Sequence, residues 1–377
     1  MKHTNYTKNR DRLVNEYKKT INIQQDENLT GQLNMMSAGL VNYLPKIDTD
    51  QHEDIYRNIL LHKKLSILEQ SSLEALNYVT TEDLSTSTLD LLKTKPAVIC
   101  TFHTGSYRIL NLFLIRHNIP YSLVMGTSIV QQEGALFHNL YNNLPGIQST
   151  ESFKIFDAEA STVGLQMLRE LKRGRSLLLY IDGNTGAGTT ATKKDNRCVI
   201  NFLHQQLFAR KGIAYLAHTA RVPVVTVASY RPSWEDIRLK FYDPILPDSN
   251  IDKSVFAEST TQHIYKLVAP LIKAYPEQWE GWLYIHKSAK IIQQPTAQER
   301  KKNTNSTEKI SFDSFRFGIF KLNGLPLLLN KNTYAFYEIN NQLYDLLTAC
   351  MSHPVKKDNI DIALFNKLYE QGVITYV

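Results

Sequence analysis

His103 stands in "FHTGSYR", residues 102–108, directly behind the apolar run "AVIC" and ahead of residues with helical spacing. An imidazole at the end of a buried strand can act as a general base toward a hydroxyl or amine as that group attacks a thioester. Its other ring nitrogen then needs a partner, usually a carboxylate. Arg108, five residues on, cannot be that partner, because a guanidinium has only donors and is always charged. Two roles remain for it. Its charge would keep the imidazole neutral and basic, and its fork could bind a phosphate or carboxylate of the substrate. Asp182, at the end of "SLLLYID", is the carboxylate that a parallel sheet could bring to the same edge as His103. Plainer readings are that His103 caps a turn and that Asp182 caps the loop "GNTGAG". The glycines of that loop could let backbone N–H groups approach a phosphate or an oxyanion. Cys100 lies on the same apolar strand, where a nucleophilic thiol and a buried inert one are the alternatives.

Strands alternating with helices must position these groups. "AVICTF", "PYSLVM", "SLLLYID" and "PVVTVASY" read as strands. "SYRILNLFLIRHN", "STVGLQMLRELKRGR" and "ARKGIAYLAHTARV" read as the helices between them, the second ending at Gly174. The pattern predicts an α/β core over residues 91–290, with a mostly parallel sheet flanked by helices. Residues 1–90 are rich in helix formers and read as a helical region. Residues 291–310 are polar and charged, poor in apolar side chains, and read as a linker. Residues 311–377 read as a small α+β domain. It has a hairpin turning at Asn323-Gly324, a further strand in "TYAFYEI", a helix capped by Asn340, and a second helix stopped by Gly372.

The chain has 377 residues and a formal charge of +7. That charge suits an acyl carrier protein, a phosphorylated cofactor, an anionic lipid surface or nucleic acid, and equally suits solubility alone. Three scattered cysteines, with no metal-ligand spacing, fit a reducing compartment. The polar start lacks a secretory signal, and no apolar run reaches the roughly 18 residues of a membrane span. The expectation is a cytoplasmic protein without bound metal or cofactor, with room for peripheral contact at a membrane.

Four segments in order carry a resemblance over about residues 55–290. They are "FHTGSYR", "LRELKRGRSLLLYIDGN", "NFLHQQLFARKGIAYLAHTARVPVV" and "YPEQWEGWLYIHKSAK". Together they resemble the lysophospholipid acyltransferase-like family, in particular the late acyltransferases of lipid A biosynthesis. The resemblance implies a glycerolipid acyltransferase-like fold and transfer of an acyl group from an acyl-carrier-protein or coenzyme A thioester. It implies His103 as catalytic base, joined here by Asp182, with Gly105, Arg108, Lys154 and Arg210 at the substrate. Two departures stand out: Arg108 replaces the motif's acid, and the family's N-terminal membrane anchor has no counterpart.

The tail has a resemblance of its own. "LPLLLNKNTYAFYEINNQLYDLL" followed by "LFNKLYEQGVI" resembles a RiPP recognition element, the peptide-binding winged helix of pyrroloquinoline quinone biosynthesis. It implies a precursor peptide bound as an added strand. The tail helices carry few basic residues, which argues against nucleic acid. Together the two resemblances imply an acyltransferase acting on a ribosomally made peptide held by its own tail. Two alternatives stay open: a soluble lysophospholipid or glycolipid acyltransferase with a structural tail, and an inactive scaffold that binds peptide or acyl chain.

Overall fold

The computed structural model describes residues 6–142, 154–183, 196–292 and 309–377. The chain opens with helices α1 (Tyr6–Thr20), α2 (Glu27–Tyr43) and α3 (His52–Gln70). Strand β1 (Val79–Glu82) and helix α4 (Thr86–Thr94) lead to β2 (Val98–Thr101), α5 (Ile109–Arg116), β3 (Tyr121–Met125) and α6 (Thr127–Asn142). Next come β4 (Lys154–Asp157), α7 (Val163–Lys172), β5 (Ser176–Tyr180), β6 (Arg197–Phe202), β7 (Gln205–Arg210) and α8 (Gly212–Ala220). Strands β8 (Val224–Ser233) and β9 (Asp236–Phe241) precede α9 (Lys253–Ala274) and the short β10 (Ala289–Lys290). The remainder is β11 (Lys309–Phe312), β12 (Phe317–Leu322), β13 (Leu325–Asn330), β14 (Ala335–Glu338), α10 (Asn341–Ser352), β15 (Val355–Lys356), α11 (Ile362–Glu370) and β16 (Ile374–Tyr376).

Two compact units result. The first comprises Met1–Lys19, Asn58–Phe202 and Leu207–Gly281; the second Thr20–Arg57, Leu203–Gln206 and Trp282–Val377.

The first unit is built on a seven-stranded sheet of order β1-β9-β8-β2-β5-β3-β4. Every pairing in it is parallel except β8 with β9. The inner strands β2, "VICT", and β3, "YSLVM", are buried along their whole length, as expected of strands covered on both faces. Helices flank the sheet, and α7 shows how: Val163, Met167 and Leu171 recur at helical spacing and are buried, while Gln166 and Lys172 stay accessible. The α/β expectation therefore holds at this level. Its omissions are β1, β4 and β9, which lie at or next to the sheet edges and carry mixed rather than continuous apolar runs. The stretch "RCVINFLHQQLFAR", where no strand is expected, forms the neighbouring strands β6 and β7, and Ala209 and Arg210, expected to open a helix, end β7 instead.

In the second unit, β12, β13 and β14 form an antiparallel sheet with β13 central. The expected hairpin is present: Asn323 and Gly324 have φ of 52° and 77°, the left-handed pair that a two-residue turn of this kind requires. The Asn340 side chain accepts the Leu343 N–H at 2.8 Å, as an N-cap should. Strand β16 closes a second small sheet by pairing antiparallel with β11.

Two domain boundaries need correction. Residues 1–90 are not one helical region, because they are divided between the two units and contain β1. Residues 311–377 are not a self-sufficient domain either. Helix α2 completes their core: Ala38 is buried with Phe320 and Leu329, and the Asn42 Nδ2 donates to the Lys331 carbonyl at 2.7 Å. The expected linker falls mostly on residues 293–308, which lie outside the described residues.

Candidate active site

His103 and Asp182 meet because of register. Thr101 on β2 pairs with Tyr180 on β5, and each candidate lies two residues beyond its strand. Parallel neighbours therefore bring both to the carboxyl edge of the sheet, where open α/β sheets place their sites. The His103 Nδ1 lies 2.7 Å from the Asp182 Oδ1. A carboxylate only accepts, so Nδ1 carries the proton and Nε2 is the nitrogen left for proton transfer. The His103 backbone N–H also donates to Asp182, at 3.2 Å to Oδ1 and 3.0 Å to Oδ2. The imidazole is 21% exposed and the carboxylate 2%, so a reactant can reach the first and not the second.

The turn itself depends on Gly105. Its φ is +52°, and a Cβ there would lie 2.7 Å from the Tyr230 Cα and 3.0 Å from the Ser229 carbonyl. No side chain fits, so β8 packs directly under the His103 turn. Ser106 then donates its N–H to the Ser229 Oγ at 3.1 Å. The Ser106 hydroxyl reaches the fully buried Glu69, which also takes Arg231 and, at 3.0 Å, the Tyr6 hydroxyl.

Two phenols wall the imidazole. Tyr180 stacks on it with centroids 4.8 Å apart, and Tyr107 meets it edge-on at 4.9 Å. Burial pushes both hydroxyls above the ordinary tyrosine value, so both stay neutral.

Arg108 is committed within the protein. Its guanidinium is buried and already engaged: Glu133 on α6 accepts from it at 2.5 and 3.4 Å, Gln70 at 3.1 Å, and the Tyr107 hydroxyl at 3.1 Å. Burial lowers its pKa, but Tyr107, Glu133 and Tyr180 outweigh burial and hold it above the ordinary arginine value. Glu133 serves Arg108 and not the histidine.

Lys154 also needs correction. It starts β4 at the opposite, amino edge of the sheet, pairing with Ser122. Three strand spacings and five residues separate it from His103, about 14 Å across and about 16 Å along. Its ammonium pairs with buried Glu170 at 2.9 Å, and Arg173 and Arg175 share that carboxylate. Lys154 therefore belongs to a structural ion cluster. Arg210 is half-buried at the end of β7. It acts electrostatically on Tyr265, whose hydroxyl donates to the carbonyl of Ile181 at 3.3 Å. Burial, and then Arg197, lower its pKa.

Cys100 resolves as inert: it is fully buried and burial pushes its thiol up to about 12. The loop "GNTGAG" lies outside the described residues beyond Gly183. Among the described residues no group of three or more His, Cys, Asp or Glu side chains could hold a metal ion, and no helix is long and apolar enough to cross a membrane.

Sequence reasoning missed Trp279, Tyr107 and Tyr180. Tyr180 had a signal, since it shares a strand face with Asp182 at a spacing of two. Trp279 lay in a segment recognised by resemblance and given no role. Its indole N–H donates to the Asp182 Oδ2 at 2.7 Å. Compared with known proteins, the chain matches no family model and no curated sequence.

Proposed function

We propose that the first unit is an acyltransferase and that the second recruits a ribosomally made peptide as its acceptor. The observation that carries the reading is the His103–Asp182 pair at the carboxyl edge of the sheet. Asp182 fixes the tautomer in which Nε2 accepts a proton. The acceptor's hydroxyl or amine attacks the thioester carbonyl while Nε2 takes its proton. The tetrahedral intermediate collapses, the C–S bond breaks, and the imidazolium returns its proton to the departing thiolate. Acyl-carrier-protein or coenzyme A thioester is the donor, consumed as a co-substrate. Arg210, which acts on Tyr265 beside Ile181, would meet the donor's phosphate.

The recruiting role is supported by β14, an edge strand of its three-stranded sheet. Phe336 and Tyr337 on it are 47% and 51% exposed, an apolar edge that an extended peptide could cover. Covalent continuity with the first unit would raise the local concentration of a held peptide.

Co-expression of the full chain with a peptide encoded by a neighbouring gene tests both halves by intact mass. The wild type should add a fatty acyl mass. His103→Ala should add none, and Tyr337→Asp should add much less. If His103→Ala still acylates, the chemistry lies elsewhere. If Tyr337→Asp is unimpaired, β14 does not recruit.

A further inference from the structure

The segment Pro276–Gly281 runs along the catalytic turn as a strap. The Gly105 N–H donates to the Gln278 carbonyl at 2.9 Å, the Glu280 N–H donates to the His103 carbonyl at 2.9 Å, and Thr104 bridges Trp279 between them. The Gln278 side chain anchors the strap to β8, exchanging bonds of 2.8 and 2.7 Å with the backbone of Arg231. Gly281 lets the indole fold back, because a Cβ there would lie 2.2 Å from the ring. Trp279 is 2% exposed and packs edge-on against Phe202 with centroids 5.4 Å apart.

An indole has a single N–H. Here it is committed to the Asp182 oxygen that the imidazole does not use. We propose that Trp279 is a positioning residue that sets the base strength of His103 through Asp182. It touches no reacting atom. A charge-assisted bond to Oδ2 draws negative charge away from Oδ1. With less charge facing Nδ1, the imidazolium is less stabilised, and the ring releases its proton more readily between turnovers. Removing the N–H leaves the carboxylate in place, since the His103 backbone N–H still reaches both oxygens. The change is therefore in charge and not in location.

The remaining groups around His103 do not substitute for the indole. Tyr107 and Tyr180 face the ring as neutral phenols. Arg108 and Glu133 neutralise each other beyond Tyr107. Glu280 on the strap has Lys63 at 3.9 Å, and Arg210 acts one side chain away, on Tyr265.

The inference rests on reading His103 and Asp182 as a base and its partner, but its test needs no substrate. In the full chain with labelled histidine, the His103 signal is picked out from the 11 histidines by its loss in His103→Gln and followed against pH. Trp279→Phe keeps an aromatic ring and removes the donor. Replacing Trp279 with β-(3-benzothienyl)alanine keeps the shape as well, and decides the matter if the phenylalanine variant does not fold. Both should move the His103 midpoint to higher pH by about one unit. Phe202→Leu, which alters the packing of the same indole but not its N–H, should leave the midpoint in place. An unmoved midpoint in the isostere, or an equal shift in Phe202→Leu, overturns the proposal. A shifted midpoint in a protein that transfers no acyl group would overturn the proposed function and leave this inference standing.

Discussion

Replacing Arg231 with methionine tests whether the floor beneath the His103 turn is an electrostatic structure. Arg231 and Glu69 are buried, with side chains 1% and 0% exposed. Glu69 has three kinds of partner: Arg231, the Ser106 hydroxyl and the Tyr6 hydroxyl. Arg231→Met removes the only one with a compensating charge and keeps an apolar stem of similar length. Breaking a buried pair in this way costs about 3–5 kcal/mol, because the remaining carboxylate is left in a medium that solvates it poorly. For a unit of this size each kcal/mol lowers Tm by about 2–4 °C, so a fall of about 6–20 °C is expected. Glu69→Leu alone should also destabilise, since Arg231 then becomes the stranded charge. The double variant Glu69→Leu/Arg231→Met should recover most of the loss, short of about 1 kcal/mol for each hydroxyl deprived of its acceptor. Thermal melts and urea unfolding of the four proteins complete the cycle. A single Arg231→Met variant that costs under about 1 kcal/mol would refute the reasoning, as would a double variant whose loss equals the sum of the singles.

Asp182→Asn should lower turnover by about 10⁴-fold, the effect expected when a triad-type histidine loses its tautomer control, and should cost about 1–3 kcal/mol of stability because its amide nitrogen cannot accept a donor that the carboxylate now takes; single-turnover acyl transfer and thermal melts read the two effects. Arg108→Ala should lower Tm while leaving the apparent affinity for the donor unaltered, because Glu133 and Gln70 already occupy the guanidinium. Arg108→Glu should destabilise further by setting a second carboxylate against Glu133, and should not restore activity. In the second unit, Lys331 is buried, donates to the Ser314 carbonyl at 2.6 Å, and has a pKa lowered by burial from 10.5 to about 7, with Asp313 opposing the shift. Between about pH 7 and 10.5 the unfolded chain binds a proton there that the folded chain does not, so stability should rise with pH across that window. Lys331→Met should flatten that rise in urea titrations run at pH 7, 8 and 9. An equal slope in both proteins would dismiss the buried amine as its source.

The inner strands were legible because strands buried on both faces are continuous apolar runs, and "AVICTF" and "SLLLYID" can be little else. Their end residues followed, which is how His103 and Asp182 were found on separate elements. What sequence could not deliver was neighbour order. That β2 lies beside β5, and so brings the two side chains within one hydrogen bond, depends on sheet topology rather than on any local pattern. Arg108 shows the opposite failure. Its position in a motif suggested a role toward the substrate, while its partner Glu133 sits on a different helix with no signal tying the two together. Lys154 follows from the resemblance alone, and strand direction sets it at the far edge. The tail's hairpin, caps and helices were readable because each is fixed by nearby residues. The dependence of that tail on α2 was hidden, since the matching surfaces are separated by almost the whole first unit.

That separation constrains synthesis. Helix α2 ends at Tyr43, and its partner strand β12 begins at Phe317. At translation rates of about 5–20 residues per second, α2 emerges from the ribosome about 14–55 s before the surface that covers it exists. During that interval the first unit's sheet can assemble from contiguous chain, while the face of α2 around Ala38 waits uncovered. The second unit can therefore close only after release of its last strands, and the nascent chain carries an unpaired apolar helix for most of its time on the ribosome. A holdase that shields such helices would raise the yield of this protein more than that of one in which each unit is continuous in sequence.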